Sequence, residues 1–146
     1  MEQLKIKRVK PNAVLPTRAT AHSAGYDLYA CLDSPVTIPA RGSAMIPSGI
    51  AIAIDGPCVV GLVFGRSGLG SRHGIVPANA VGVVDADYRG EIFMALANHS
   101  DMDFVVNHAD RLVQLVLVPV FTPELVECGE LDETQRGAGG FGSTGR

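Results

Sequence analysis

The stretch SGIAIAIDGP, residues 48–57, alternates three isoleucines, Ile50, Ile52 and Ile54, with two alanines and then ends in Asp-Gly-Pro. Successive side chains of a β-strand point to opposite faces, so apolar residues at every second position predict a strand that turns one face to the core. The Asp-Gly-Pro sequence predicts a turn directly after it. This stretch therefore predicts a β-strand followed by a turn.

Short apolar runs of the same kind recur along the chain. They cover residues 3–9, 26–31, 43–54, 58–64, 81–85, 91–97, 103–106 and 112–121. Seventeen glycines and nine prolines interrupt the sequence before a helical apolar stripe can form, so at most Ser67 to Arg72 makes a helical turn. The sequence predicts an all-β protein, either a sandwich or a barrel.

Length and composition exclude several classes of protein. A chain of 146 residues with 47% hydrophobic and 18% charged residues predicts one well-packed domain. A net charge of −3 leaves no broad positive surface, so we expect no nucleic-acid partner. The first residues lack the apolar segment of a signal peptide, and residues 112–121 fall short of the roughly 18 residues of a membrane span, so we expect no membrane association.

The three cysteines, Cys31, Cys58 and Cys128, are odd in number and never stand in C-x-x-C spacing. This pattern favours buried or idle thiols over a disulfide framework or a zinc site, and it fits a reducing cytoplasm. The four histidines show no ligand spacing, so no metal-binding or catalytic histidine is predicted.

The end of the chain changes character. From about Glu133 the apolar pattern stops, and RGAGGFGSTGR, residues 136–146, contains five glycines. We therefore expect a β-barrel domain over residues 1–132 and a flexible arm over residues 133–146. Its arginines, hydroxyls and backbone N–H groups could bind a polyphosphate, although a flexible terminus without function is the commoner meaning of such a sequence.

The glycine-rich stretch GRSGLGSRHG, residues 65–74, follows an apolar run that predicts a buried strand. Its glycines could direct backbone N–H groups at one anion, beside Arg66 and Ser67. It is not a Walker loop, because Ser71 and Arg72 stand where that motif needs its lysine. An ordinary tight loop explains this stretch, taken alone, equally well.

The stretch NAVGVVDADYRGE, residues 79–91, predicts a hairpin that carries Asp85 and Asp87 two positions apart. In an ideal strand these two carboxylates would face the same way, as a metal or a polarised water requires. The alternative is an ordinary turn, in which Asp and Gly are common.

Two polar residues interrupt otherwise apolar strands. Asp27 lies in AGYDLYA, where a carboxylate is either solvent-facing, which is the default, or functional. Gln114 lies within the apolar run 112–121, where a buried amide must find partners, so a satisfied structural amide is expected.

Five segments together resemble the five motifs of the trimeric dUTPase family: AGYDLYA (24–30), GRSGLG (65–70), NAVGVVDADYRGE (79–91), ADRLVQL (109–115) and RGAGGFGSTG (136–145). The resemblance spans nearly the whole chain. It implies a jelly-roll-like β-barrel and a homotrimer in which each active site takes motifs from all three subunits. It also implies hydrolysis of dUTP to dUMP and pyrophosphate by Mg²⁺-assisted attack of water on the α-phosphorus, which keeps uracil out of DNA and supplies dUMP for thymidylate synthesis.

The same resemblance assigns roles to individual residues. Asp85 matches the carboxylate that activates water, with Asp87 as its structural partner, and Asp27 matches an acid that touches the metal only through water. Arg111 looks like an internal structural charge. The arm is implied to close over an active site. The residues implied to bind substrate are Arg66, Ser67, Gly68, Asn79, Gly82, Val83, Val84, Asp85, Tyr88, Phe93, Gln114, Arg136, Phe141, Gly142, Ser143 and Thr144.

Those substrate contacts divide by the part of dUTP that they touch. Arg66, Ser67, Gly68 and Gln114 match residues at the phosphates. Asn79 and the hairpin backbone from Gly82 to Asp85, with Phe93, match the uracil pocket, and Tyr88 matches the aromatic that packs on deoxyribose. In the arm, Phe141 would stack on uracil, while the outer phosphates would be contacted by Arg136, Gly142, Ser143 and Thr144.

The chain departs from the family pattern in the second motif. Gly65 stands where the family often has proline, and GLGSRHG replaces a commoner version with alanine and lysine, which implies a different loop stiffness and no loss of chemistry. Two other functions remain open on the same fold: deamination of dCTP, and nucleotide binding without catalysis. Tyr88 and the arm with Phe141 favour the pyrophosphatase.

Overall fold

The computed structural model describes residues 3–140 of the chain. These residues form eleven strands and one short helix: β1 (Lys5–Arg8), β2 (Tyr26–Tyr29), β3 (Val36–Ile38), β4 (Ser43–Pro47), β5 (Ile50–Ala53), β6 (Val59–Gly65), α1 (Ser67–His73), β7 (Ile75–Pro77), β8 (Gly82–Val84), β9 (Phe93–Asn98), β10 (Phe104–Val106) and β11 (Arg111–Pro119). The all-β prediction is confirmed, and the helix lies where the sequence allowed a single helical turn. Within residues 3–140, no helix is long and apolar enough to cross a membrane.

Antiparallel pairing joins the strands into four sheets. The largest has the order β2-β11-β6-β8, the second has the order β4-β9-β7, and two ribbons pair β1 with β5 and β10 with β3. Strand β11 lies between β2 and β6, with Gln114 opposite Asp27 on one side and opposite Phe64 on the other. This pairing brings the segments 24–30, 65–70 and 109–115 to one end of the largest sheet.

The core lies between the sheets and consists of aliphatic side chains. Leu28, Ile46, Leu96 and Leu115, which come from four different strands, are at most 1% exposed. Burying a side chain of this size stabilises the fold by about 1.5–3 kcal/mol relative to exposure. The core therefore fixes the strands that carry the polar segments.

The predicted strand 43–54 is divided into β4 and β5 at Ser48 and Gly49. Gly49 has a φ of +69°, and a Cβ at this position would lie 2.6 Å from the Cys31 sulfur. Only glycine fits this turn, because both the backbone angle and the space exclude a side chain. The two strands not predicted, β3 and β7, are bounded by Pro39 and Pro77, and a proline in a short run weakens the strand pattern.

The outer face of the largest sheet is apolar. Strand pairing places Phe64 opposite Gln114, and Leu62 opposite both Val116 and Val83, so these side chains share one face. Leu62, Phe64 and Val116 are only half-buried, and Val83 is 63% exposed. We call Leu62, Phe64, Val83 and Val116 the outer apolar face. It adjoins the end of the sheet that carries Asp27 and Gln114.

Beyond β11 the chain leaves the barrel. The Val120 N–H donates to the Cys58 carbonyl at 2.9 Å, and residues 121–140, here named the C-terminal extension, contain no strand or helix. Its large apolar side chains are Phe121, Leu125, Val126 and Leu131, all at least 80% exposed. The last strand therefore ends at Pro119, and the end of the domain at residue 132 stays a prediction.

Candidate active site

Asp27 lies at the centre of a charged cluster. Its Oδ1 accepts a hydrogen bond from Arg66 Nε at 3.0 Å and its Oδ2 accepts one from Arg111 Nη1 at 3.2 Å. Asp27 is 9% exposed, so the predicted solvent-facing position is wrong. A carboxylate can be buried here because two guanidinium groups compensate its charge. Arg111 is not internal within this chain, since its side chain is 47% exposed.

Gln114 extends this cluster along the same sheet. Its Nε2 donates to the Gly65 carbonyl at 3.1 Å, which confirms the predicted satisfied amide. Gly25 leaves room for the amide oxygen of Gln114, because a Cβ at Gly25 would lie only 3.0 Å from Gln114 Oε1. The amide is therefore held in a fixed orientation next to Asp27.

A cleft of about 240 Å³ opens over these residues, and we call it the Asp27 cleft. It brings together the predicted phosphate ligands and the predicted metal neighbour: Asp27, Arg66, Ser67, Gly68 and Gln114. Ser67 begins α1, directly after the last residue of β6 and Arg66. The guanidinium, hydroxyl and amide groups of the cleft suit an anionic ligand.

A second cavity, of about 330 Å³, lies between β8 and β9. These strands pair with other strands and not with each other, so the predicted hairpin is an open loop with its two arms in different sheets. We keep the word hairpin for this loop and call the cavity the hairpin cavity. It brings together the residues within 3–140 that are predicted for the base and the sugar: Asn79, Gly82, Val83, Val84, Asp85, Tyr88 and Phe93. Met45 and Met94 also line it, so an apolar wall faces a few polar groups. This combination is typical of a site that binds a small flat ligand.

Asp85 lies where β8 has ended. Strand β8 stops at Val84, and the Tyr88 N–H donates to the Asp85 carbonyl at 3.1 Å, which closes a turn. The prediction that Asp85 and Asp87 face the same way along a strand is therefore wrong, because both lie in this turn. Asp85 lines the hairpin cavity, whereas Asp87 is not among its lining residues.

No residue lines both the Asp27 cleft and the hairpin cavity. Within one chain, the predicted site residues therefore line two different cavities, and a third cavity of about 710 Å³ shares Arg66 and Ser67 with the Asp27 cleft and Pro77 with the hairpin cavity. Arg136 lines none of these cavities: it lies in the C-terminal extension, where its Nε donates to the Gly139 carbonyl at 2.9 Å. The predicted ligands Phe141, Gly142, Ser143 and Thr144 lie outside the described residues.

The Asp27 carboxylate is shared between two arginines and is the acidic group nearest to the predicted phosphate ligands. Both of its oxygens already accept hydrogen bonds from arginine, and within residues 3–140 no three Asp, Glu, His or Cys side chains come together as a metal-binding group. Mg²⁺ usually keeps several of its waters. Each Asp27 oxygen keeps a lone-pair position that suits a water ligand of such an ion.

Cysteine chemistry does not contribute to either cavity of the predicted site. Cys31 is buried, and its thiol donates to Asn12 Oδ1 at 3.1 Å. Burial raises the pKa of the Cys31 thiol, which lowers its reactivity at neutral pH. Cys58 and Cys128 are exposed and free.

Sequence reasoning missed Ser23, which lines the Asp27 cleft. Its hydroxyl accepts a hydrogen bond from the Thr20 N–H at 3.0 Å. The Thr-x-x-Ser spacing of residues 20–23 could have indicated a turn. It could not have indicated that this turn lies beside Asp27, because that depends on the path of the chain into β2.

Comparison with known proteins agrees with this geometry. The dUTPase family model matches residues 11–145 of the chain. The chain belongs to the dUTPase family. It is 46% identical over 153 residues to the deoxyuridine 5'-triphosphate nucleotidohydrolase of Psychrobacter sp. strain PRwf-1, covering 100% of this chain and 99% of that one. It is 47% identical over 143 residues to the protein of the same name from Burkholderia thailandensis, covering 98% and 97%.

Two solved structures extend the comparison to the fold. The dUTPase of Staphylococcus bacteriophage 80alpha with dUPNHPP superposes with a TM-score of 0.91 at 28% identity, covering all of both chains. A mutant dUTPase from phage phi11 of S. aureus, described with a structural Mg(II) ion, gives a TM-score of 0.81 at 26% identity and covers 90% of this chain and all of that one. The predicted jelly-roll-like dUTPase fold is confirmed.

Proposed function

We propose that this protein hydrolyses dUTP to dUMP and pyrophosphate. The observation that carries the proposal is the hairpin cavity, in which one exposed carboxylate, Asp85, stands beside an amide, a tyrosine and a run of strand backbone. Family membership supports the same reaction. In the cell the reaction would keep uracil out of DNA and supply dUMP for thymidylate synthesis. We expect it to occur in the cytoplasm.

The hairpin cavity has the groups to select uracil. The Asn79 amide and the backbone of Gly82 to Asp85 would pair with the O4 and N3–H of the base. Cytosine presents an amino group and a bare N3 there, so it would leave buried polar groups unpaired. The narrow hairpin excludes thymine, because its methyl group would overpack the pocket at a cost of about 1–3 kcal/mol.

Tyr88 and Phe93 complete the nucleoside half of the site. Both side chains are partly exposed and line the hairpin cavity. The Tyr88 ring would pack flat on deoxyribose, so that the 2′-hydroxyl of a ribonucleotide would clash with the ring. Phe93, on the returning strand β9, would border the uracil edge.

Asp85 would act as the general base. It would orient a water on the α-phosphorus and accept its proton as the new P–O bond forms, while pyrophosphate leaves. Its position at the edge of the cavity, past the end of β8, supports this role because the side chain reaches open space. Asp87 would support the turn.

The Asp27 cleft would hold the triphosphate. A guanidinium has five N–H donors, and the bonds from Arg66 to Asp27 and to the Arg111 carbonyl use two of them. The other donors can bind phosphate oxygens, and the Ser67 hydroxyl and Gly68 backbone can support charge on the leaving group. Gln114 would hold the attacking water or the α-phosphate.

Mg²⁺ would be the cofactor. It would supply positive charge that neutralises the triphosphate during the reaction. Asp27 would contact it through water, because its own oxygens are engaged by arginine. A structural Mg(II) ion is described for the mutant phi11 phage dUTPase, which supports Mg²⁺ as the metal.

We further propose a homotrimer in which the subunits share each active site. The Asp27 cleft and the hairpin cavity share no lining residue within one chain, which supports an arrangement with the hairpin of one copy against the cleft of another. The outer apolar face adjoins the cleft and gives a surface for such contact. The four large apolar side chains of the C-terminal extension, which are exposed in one chain, would lie on a neighbouring copy.

The arm over residues 133–146 would close the assembled site. In it, Phe141 would stack on uracil. Arg136, Gly142, Ser143 and Thr144 would bind the outer phosphates through guanidinium, hydroxyl and backbone groups. A glycine-rich arm can open for substrate and become ordered on it.

One incubation tests the proposed reaction. The purified protein is mixed with Mg²⁺ and either dUTP or dCTP, and the products are separated by ion-exchange chromatography. We expect dUMP and pyrophosphate from dUTP and no change in dCTP. Conversion of dCTP to dUTP would identify a deaminase, and two unchanged substrates would identify a binding protein.

A further inference from the structure

The Tyr88 side chain folds back over its own hairpin. Its hydroxyl donates to the Glu91 carbonyl oxygen at 2.9 Å, so the ring passes above Gly90. The residue is 44% exposed, and the core therefore does not surround the ring. The ring orientation depends on this one hydrogen bond and on the space above Gly90.

Gly90 provides that space. A Cβ at this position would lie 2.6 Å from Tyr88 Cζ and 3.1 Å from Cε2, and closer still to the hydroxyl oxygen. Contacts this short are repulsive, so any larger residue would push the ring away. Glycine at position 90 is thus a condition for the observed position of Tyr88.

Glu91 fixes the other end of the hydrogen bond. Its Oε1 accepts a hydrogen bond from the Gly49 N–H at 2.7 Å, which ties the returning arm of the hairpin to the turn between β4 and β5. The next residue strengthens this tie: the Ile92 N–H donates to the Ile50 carbonyl at 2.9 Å, and the buried Ser48 hydroxyl donates to the Ile92 carbonyl at 2.5 Å. The carbonyl that accepts from Tyr88 is therefore anchored to the core.

We propose that Gly90 and Glu91 are positioning residues that hold the Tyr88 ring in the position where it excludes a 2′-hydroxyl. Through the ring they would set the preference of the enzyme for deoxyribonucleotides over ribonucleotides. This inference rests on the proposed function. Glu91 lines the hairpin cavity and Gly90 does not, and both would act on the sugar through the Tyr88 ring. A small displacement of the ring would open room for ribose, since discrimination by overpacking depends on close fit.

The test compares kcat/KM for dUTP and for UTP in each variant. Their ratio is independent of the fraction of folded protein, because unfolded molecules lower both values equally. We expect Gly90→Ala to lower the dUTP:UTP ratio at least tenfold, and Tyr88→Phe to lower it severalfold because the ring stays and only its hydrogen bond is lost. Gly129→Ala makes the same chemical change where no atom lies within 4 Å, and its ratio should stay unchanged.

Glu91 is tested by a pair of variants. Glu91→Ala removes the acceptor of the Gly49 N–H and should lower the ratio, mainly through a higher KM for dUTP. Glu91→Gln keeps an oxygen acceptor and should restore most of the ratio. A ratio within twofold of the unaltered protein in both Gly90→Ala and Glu91→Ala would overturn the proposal.

A crystal structure of Gly90→Ala separates this proposal from the proposed function. It should show the hydrogen bond from Tyr88 to the Glu91 carbonyl broken and the ring displaced, whatever the protein hydrolyses. An unmoved ring would overturn the positioning role. Failure of the unaltered protein to hydrolyse dUTP would instead count against the proposed function.

Discussion

Asp27 Oδ1 and Arg66 Nε are 3.0 Å apart, which joins a carboxylate of strand β2 to the residue that directly follows β6. The Asp27 side chain is 12% exposed and the Arg66 side chain 30%. Strand β11 lies between β2 and β6, so the ion pair links these two strands across β11 at one end of the sheet. The same pair shapes the proposed phosphate cleft.

Asp27→Asn should destabilise the protein. The change removes a charge that two guanidinium groups share, and hydrogen bonds to charged groups contribute about 1.5–3 kcal/mol each, reduced here because both arginines are partly exposed. We expect the free energy of unfolding to fall by about 1–2 kcal/mol in urea titrations at one fixed protein concentration. Asp55→Asn, which removes an exposed pair with Lys5, is the control and should have little effect. Equal stability of the two variants would contradict a structural role for the Asp27 pair.

Asp85→Asn should separate binding from turnover. The amide keeps the size of the carboxylate and cannot accept a proton from water, so we expect kcat to fall by about 10²–10⁴. Binding of dUTP, measured by calorimetry, should change little. Asp87→Asn alters the same turn without lining the cavity, and its kcat should fall far less. Near-normal turnover in Asp85→Asn would show that Asp85 is not the general base.

Truncation should distinguish the two parts of the chain after β11. Deletion of residues 136–146 removes the arm and should abolish most dUTP hydrolysis while sedimentation still shows trimers. Deletion of residues 121–146 also removes Phe121, Leu125, Val126 and Leu131 and should weaken the trimer. Monomers after the shorter deletion would contradict the view that the arm only closes the site.

A charge on the outer apolar face should disrupt assembly and activity together. Leu62→Asp places a carboxylate opposite Val83 and Val116, and its desolvation in a subunit contact would cost several kcal/mol. We expect folded monomers by sedimentation and circular dichroism, without dUTP hydrolysis. Met102→Asp changes a side chain that is 76% exposed in a loop and should leave trimers intact. Active monomers of Leu62→Asp would show that one chain holds a complete site.

The sequence predicted local features of the fold well. The alternation at Ile50, Ile52 and Ile54 indicated a strand with a buried face, and all three side chains are at most 3% exposed. The five motif segments indicated candidate substrate-binding residues, and those within 3–140 other than Arg136 line two cavities. These features depend on neighbours in sequence, so a pattern can reveal them.

Features that depend on distant residues could not be predicted. Asp27 was expected in solvent because its own strand offers no partner, and the arginines that make burial possible lie 39 and 84 positions further along the chain. The break at Gly49 likewise depends on the Cys31 side chain, which belongs to another part of the chain. The division of the site between two cavities follows from sheet order, which no single segment encodes.

The most direct test of the central claim is hydrolysis of dUTP in water labelled with ¹⁸O. Attack of water on the α-phosphorus puts the labelled oxygen into dUMP, because that phosphorus stays with the nucleoside when pyrophosphate leaves. Mass spectrometry should therefore find one ¹⁸O atom in dUMP and none in the pyrophosphate. Label in the pyrophosphate, or release of orthophosphate, would contradict the proposed reaction.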